Sequence, residues 1–406
     1  MKIRSITTLL HPGWPFYEAE LDKAGRFNQA ARPAFTAAGY EVQTTRLATT
    51  PFPLLVPEGN LPETLAFAHS IESAAQARGY EYVSLGPALP EDVAGFEMIP
   101  DIFAATENVF AAGIIASKQG GISLQAIRAA ARVIHRCATL DENGFGNLYF
   151  TALANVAPGG PFFPAAYHDG GPMRFAIATE AASLAVNAFS AASTLAQARA
   201  NLIEIMESHA HALAVVAENL TTQFDVKFGG IDLTLAPFPE EMASLGTALE
   251  RLGVPAVGLH GSLAAAAFLA DTMDRAQYPR VGFNGLMLPV LEDATLAARA
   301  KDGSLSVSDL LMYSAVCGTG LDTIPLPGDT TEEQLAAILL DLAALAQRLD
   351  KPLTARLMPI PGKIAGDLTS FDFPFFANSR VMGLRAAPLT DLFAGNEDFD
   401  LVPRKR

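Results

Sequence analysis

Two hydrophobic periods alternate along this chain and predict strands and helices in turn. Lys2 to Leu10 mixes Ile, Thr and Leu in a strand-like run that stops at His11-Pro12-Gly13. A helix is predicted from Tyr17 to Ala38, a strand from Glu41 to Leu47, a helix from Leu65 to Arg78 and a short strand from Glu81 to Leu85. In the helix predicted from Ser123 to Arg136, residues Leu124, Ile127, Ala131 and Ile134 share one face. Both periods then stop. Gly144 to Gly171 is rich in Gly, Pro and aromatics, too irregular for a regular element and too apolar for a solvated linker. It reads as a packed functional loop with a short strand inside it.

Periodicity resumes with a strand from Met173 to Thr179 and a long Ala-rich helix from about Ala181 to Asn219. A strand from Val226 to Leu235 follows, then helices around Pro239 to Leu252 and Ser262 to Ala276. Val281 to Leu291 is read as a strand ending in Glu292-Asp293, and Tyr313 to Gly318 as an extended run ending in Gly318-Thr319-Gly320. A capping box of Thr330 and Glu333 starts the next helix, whose face is Leu335, Ile338, Leu339, Leu342, Leu345 and Leu349. Pro352 to Met358 is the last predicted strand. This alternation points to an α/β sheet or barrel with mainly parallel strands. No stretch reads as an interdomain linker and no internal repeat is visible, so residues 1–406 are taken as one domain.

Composition narrows the function classes. Half of the 406 residues are hydrophobic and 17% are charged, which argues against disorder. The low charge fraction suits a large compact domain or a homo-oligomer with buried faces. A formal net charge of −15 repels phosphate backbones and anionic membranes, so neither nucleic acid nor a membrane is an expected partner. The uncharged run from Ala181 to Ala198 carries Ser183, Asn187, Ser190, Ser193, Thr194 and Gln197, which predicts a buried core helix rather than a membrane span. Two cysteines, Cys137 and Cys317, form no zinc-type spacing. With Met1-Lys2-Ile3-Arg4 leading straight into a strand, the expected compartment is a reducing cytoplasm.

Longer motifs carry a resemblance. Ser314 to Asp322 (SAVCGTGLD) runs on through Ile324 to Asp329, and Thr354-Ala355-Arg356-Leu357-Met358-Pro359 precedes Pro361 to Asp367 (PGKIAGD). With Phe371-Asp372-Phe373-Pro374 and Gly144-Phe145-Gly146-Asn147, these stretches resemble the uncharacterised prokaryotic protein family 0210, domain of unknown function 711. The resemblance covers nearly the whole chain. It implies a single large α/β barrel similar to the ten-stranded barrel of pyruvate formate-lyase and the large ribonucleotide reductase subunit. That fold has two parallel half-sheets and a finger loop bearing a catalytic cysteine. The family carries no assigned activity, and fold alone supplies none.

Candidate chemistry falls into three groups. Cys317, between an apolar run and two glycines, is either a nucleophilic or redox thiol, a counterpart of the finger-loop cysteine, or a buried small hydrophobe. Ser379-Arg380-Val381-Met382-Gly383-Leu384 superficially resembles a glycyl-radical motif, but Leu384 stands where an aromatic is usual. The second group is polar: Glu292 and Asp293 after one strand, Asp322 after the next, Arg356 in a third, then Lys363, Asp367 and Asp372. Loops after strand C-termini gather where ligands bind in parallel α/β folds. Carboxylates there, including Glu292, Asp322 and Asp232, suit a divalent cation (Mg²⁺, Mn²⁺ or Ca²⁺) or general acid–base work, with Arg356 and Lys363 as anion clamps. The alternative is that they cap helices and close structural ion pairs. In the third group, His168 in Tyr167-His168-Asp169 is the best-placed proton-transfer histidine.

The reading is an enzyme, of hydrolase or lyase type, acting on a small polar, anionic metabolite by acid–base or hydrolytic chemistry, with or without a divalent metal. Cys317, Asp322, Arg356, Lys363, Asp367 and His168 are the expected catalytic residues, and Glu292, Asp322 and Asp232 the expected metal ligands. The competing readings are a non-catalytic small-molecule sensor on a glycyl-radical-type barrel, and a true radical enzyme using Cys317 and Gly383.

Overall fold

A computed structural model of the chain describes residues 1–56 and 60–403. Its strands are β1 (Lys2–Leu10), β2 (Val42–Thr49), β3 (Tyr82–Ala88), β4 (Val109–Ser117), β5 (Gly121–Ser123), β6 (Phe150–Ala154), β7 (Arg174–Glu180), β8 (Lys227–Ala236), β9 (Gly320–Pro327), β10 (Leu353–Ile360) and β11 (Asp398–Phe399). All eleven belong to one sheet in the order β8-β7-β1-β2-β3-β4-β6-β10-β9, with β5 hydrogen-bonded to β4 and β11 to β5. Twelve α-helices among the described residues complete a mixed α/β architecture.

The sheet has two halves. β1, β2, β3, β4 and β6 are mutually parallel. β7 pairs with β8 in parallel, and β10 with β9. The halves run in opposite directions and meet at two antiparallel seams, β1 with β7 and β6 with β10. Both faces of these strands are buried, which is why they are near-continuous apolar runs. On one face of β1, Ile6 joins the large apolar cluster and Thr8 accepts the Tyr80 hydroxyl. On the other, Ser5, Thr7 and Leu9 face an inserted loop.

That loop, residues 155–173, occupies the inner face. Thr7 Oγ1 donates to the Pro161 carbonyl at 2.8 Å, Ser84 Oγ donates to the Ala166 carbonyl at 2.8 Å, and the His168 amide donates to the Thr49 carbonyl at 2.9 Å. Phe163 and Ala166 pack there against Leu9, Ala48, Phe110 and Ala176. The Gly/Pro-rich run is therefore a filled insertion, ordered by hydroxyls from β1 and β3.

Several expected elements shift. The predicted helix over 181–219 is two helices, Ala182–Ser190 and Leu195–Phe224, because the Thr194 side chain caps the second by accepting from the Gln197 amide. No described helix is long and apolar enough to cross a membrane. The capping box lies one residue on, at Thr331 and Gln334, while Thr330 Oγ1 donates to the Pro327 carbonyl. Tyr313 to Gly318 is not extended; a helix over Val307–Tyr313 ends in turns there, and the strand begins at Gly320.

Val281 to Leu291 is not a strand of the ladder either. It makes single parallel bridges, Arg280 to Ile231 of β8 and Pro289 to Asp322 of β9. The reason is Asp232. Its carboxylate accepts from the amides of Phe283 (2.6 Å), Asn284 (2.9 Å) and Thr234 (3.0 Å) and from the Thr234 hydroxyl (2.6 Å), so these amides go to a side chain instead of a neighbouring strand. Gly282, at φ +79°, backs onto that carboxylate where any Cβ would collide with it. Asp232→Asn presents an amide N–H to one of those donors and should lower stability by about 1–3 kcal/mol, read as a lower urea midpoint at unchanged slope.

Candidate functional site

Between the inner face of the sheet and the inserted loop lies a pocket that opens to solvent. Its charged lining comes from both halves of the sheet: Arg4 of β1, Arg46 of β2, Arg356 of β10, and Glu292 just beyond the Pro289 bridge. Arg356 is the hub. Its Nε donates to Asp322 Oδ1 at 2.5 Å and one terminal nitrogen donates to Glu292 Oε1 at 2.7 Å. Glu292 Oε2 accepts from Arg4 at 2.7 Å, and Arg4 also reaches Glu180 at 3.3 Å. Gln43 Nε2 donates to that same Glu180 oxygen at 2.7 Å.

Local irregularities aim this network. The β9–β10 register slips between Ala355 and Leu357, at Arg356, and the β1–β7 register slips between Ile3 and Ser5, at Arg4. Bulges of this kind re-aim side chains beside functional sites. Thr323, directly after Asp322, has φ +43°, a costly conformation for a β-branched residue. The motifs around it are scaffolding. Gly144 backs onto the Pro359 carbonyl, and Asp141 gathers the amides of Asn143, Phe145 and Gly146. Phe373 and Phe375 cover the cavity, with the Arg4 guanidinium 5.2 Å from the Phe375 ring centre.

Electrostatics divide the charged groups. Burial raises the Asp322 pKa; Arg356 opposes the rise and Glu292 adds to it, and the net is upward. Burial works against the Arg356 charge, but Asp322 and Glu292 outweigh it and hold the guanidinium protonated. Arg46 differs. Its Nε donates to Thr44 Oγ1 at 2.9 Å and its guanidinium lies 5.8 Å from the Tyr82 ring centre and 5.2 Å from that of Phe163. Among the described residues no carboxylate pairs with it, and burial, then Arg4, pushes its pKa down.

Of the residues singled out in the sequence, the structure brings together Glu292, Asp322 and Arg356. Asp232 does not join them, being consumed by its four donors. Among the described residues no three His, Cys, Asp or Glu side chains form a metal-ligand group, and of Glu292, Asp322 and Asp232 only the first two share the Arg356 guanidinium. Asp293 is a helix cap that accepts from the amides of Leu245, Thr295 and Leu296. Lys363 and Asp367 sit on the loop after β10, outside the cavity lining: the Lys363 carbonyl accepts from the Gly328 amide, and Asp367 accepts from the Ile364 amide.

Cys317 is buried beside β9, and the inserted loop carries Phe162 and Phe163 instead of a cysteine. Burial pushes the Cys317 thiol up to about 11, against the pull of Lys351. Native protein should therefore leave Cys317 unmodified by a thiol reagent near neutral pH and expose it only on unfolding, followed by mass spectrometry. Gly383 is exposed at the surface. His168 lies elsewhere again, near the ends of β1 and β2. Its buried ring donates from Nε2 to the Gly171 carbonyl (2.8 Å), its Nδ1 is unpartnered 3.5 Å from Asp169, and burial lowers its pKa. The interior residues that sequence reasoning missed are Arg4, Arg46, Gln43 and Glu180.

A profile of the family described as "Uncharacterised ACR (DUF711)" matches residues 2–378, a span that includes every residue lining the cavity. The chain belongs to the DUF711 family. Curated relatives named UPF0210 protein resemble this DUF711 chain along most of its length. One from Acetivibrio thermocellus is 30% identical over 82% of this chain and 77% of its own. One from Neisseria meningitidis serogroup A is 28% identical over the same shares, 82% and 77%. One from Pyrobaculum aerophilum is 30% identical over 84% of this chain and 79% of its own. Their names state no activity.

Proposed function

We propose that this DUF711 chain binds a small anionic metabolite inside its sheet and acts on it by acid–base chemistry. The observation that carries the reading is Arg46, a half-buried guanidinium without a carboxylate partner in a pocket where the other charges are paired. A partly desolvated cation without a counter-charge is a ready partner for an anionic ligand group. Asp322 is the proposed proton-transfer group. Its pKa is raised, which favours the protonated form, and it lines a narrow recess that shares Phe162, Phe163, Met287 and Arg356 with the main pocket. Arg356 and Glu292 position it. The strained Thr323 and the bulge at Arg356 support the same assignment, since such strain concentrates at functional sites.

A divalent cation has no role in this reading, because both Glu292 oxygens already accept guanidinium N–H groups. The reading also takes the chain as one domain whose sheet closes into a ten-stranded barrel. Support comes from the segment 280–291, which bridges β8 on one side and β9 on the other. Two five-stranded halves around an inserted loop would match the glycyl-radical-type barrel, with phenylalanines where that fold has its cysteine.

A non-catalytic sensor is the second reading, favoured by the closed pairing of Glu292. One experiment separates the two. The protein is incubated in D2O with a defined mixture of carboxylate and phosphate metabolites and followed by proton NMR. Loss of a carbon-bound proton signal or growth of product signals is expected with the wild type. In Asp322→Asn the reaction should stop while ligand line broadening persists. Broadening without any reaction in the wild type would establish the sensor, and no broadening in any component would overturn binding altogether.

A further inference from the structure

We infer that the ligand of this cavity is a monocarboxylate with an apolar, flat body, held by its carboxylate on the end of Arg46. This rests on the cavity being the binding site proposed above. The Arg46 Nε is taken by Thr44, which leaves the two terminal nitrogens as a fork of the width that a carboxylate matches with two parallel hydrogen bonds. Tyr82 stands beside Arg46 in the β2–β3 register and Phe163 covers it from the inserted loop, so the fork is fixed in place before any ligand arrives.

Pairing sets the class: three guanidiniums face three carboxylates, and Arg46 is the one guanidinium that touches none of them. Arg4 is shared between Glu180 and Glu292, and Arg356 between Glu292 and Asp322, so one guanidinium remains for the ligand. One negative charge matches it. A phosphate monoester brings nearly two, and the cavity offers no glycine-rich backbone cradle to receive the second. A dicarboxylate would set its second group against Glu292 or against apolar walls.

The walls define the body. Beyond the charged rim, most of the lining is apolar (Phe110, Leu148, Phe162, Phe163, Met287 and Phe373), with Gln43, Thr44 and Tyr82 as its uncharged polar residues. Phe110 and Phe163 lie 5.4 Å apart in an edge-on arrangement, and Tyr82 meets Phe110 at 5.5 Å. Such rings favour a flat or branched apolar group, and the unpartnered Gln43 Oε1 leaves room for one hydrogen-bond donor beside it. The metabolite expected from the sequence as polar is thus polar at one end only.

The test is calorimetric titration and thermal unfolding of the full chain with phenylacetate, its uncharged counterpart phenylacetamide, succinate and inorganic phosphate. Phenylacetate should bind with a Kd on the order of 1 mM or tighter and raise Tm, and the other three should not. Arg46→Met should weaken phenylacetate roughly tenfold or more, and Arg46→Lys by less, because a lysine keeps the charge without the fork. Phosphate or succinate binding through Arg46, with phenylacetate silent, would overturn the monocarboxylate class and leave the anion site standing. Phenylacetate binding unchanged in Arg46→Met would overturn the site itself. No response from any probe would overturn the inference, while the D2O experiment still decides the broader reading.

Discussion

Arg46→Met is expected to stabilise the ligand-free protein by about 1–3 kcal/mol, the reverse of what removing a buried, hydrogen-bonded residue usually does. The half-buried guanidinium is partly desolvated among Tyr82, Phe110 and Phe163 without a carboxylate, and Arg4 adds like-charge repulsion. Methionine has similar length and no charge, so it fills the same channel between the rings and leaves only Thr44 to find another partner. Urea unfolding at unchanged slope measures the gain. Below the depressed folded-state pKa the guanidinium is charged in both folded and unfolded chains, so the gain should be flat between about pH 6 and 8. A loss of stability instead would mean that the protein itself satisfies Arg46, and the case for an anionic ligand would fall with it. A residue retained at such a cost is the usual mark of stability traded for function.

Arg356→Met should have the opposite effect, a loss of about 3–5 kcal/mol. Asp322 loses its guanidinium partner, Glu292 keeps only Arg4, and two carboxylates are left facing each other in a buried site. The pH dependence has a definite sign. Without Arg356 the main opposition to the upward push of burial and of Glu292 on the Asp322 pKa is gone, so folded Asp322 holds a proton that the unfolded chain has released. The variant's deficit relative to wild type should therefore shrink as pH falls from about 7.5 to about 5. Adding Asp322→Asn to Arg356→Met should recover part of the loss at about pH 7.5, because it removes one of the two opposed charges. Equal deficits at both pH values would show that Arg356 acts through packing alone.

These two arginines also mark where sequence reading succeeded and where it stopped. Arg356 was legible because it stands in an apolar strand beside carboxylates at other strand ends, a pattern that parallel α/β folds place together. Arg46 was not, although β2 carried the signal: a charged residue in a largely buried central strand has to point into something. What it points at is the inserted loop, a contact between residues 46 and 163 that no local period encodes. Strands β1, β7, β8 and β10 were readable from their apolar runs. β9 was missed because Pro325 and Pro327 and the glycines before it resemble a loop, and they are tolerated where one neighbour is only a single bridge. The segment 281–291 failed in the other direction, an apolar run whose amides are captured by the Asp232 side chain. Lys363 and Asp367 followed the right rule of proximity to a strand end, yet the loop after β10 carries them away from the interior.

The two antiparallel seams impose an order on how the chain becomes a protein. β6 finds its second neighbour only in β10, and Leu353 is made some time after its partner Ala154. At bacterial translation rates of about 5–20 residues per second, that interval is roughly 10–40 s. Through it the emerging first half presents β6 as a bare apolar edge, with β1 in the same state until β7 follows. A ribosome stalled in the second half of the message would release a sheet with an open flank and an aromatic-rich loop lacking its far wall. For this architecture, translation speed across residues 180–350 is a determinant of yield in its own right.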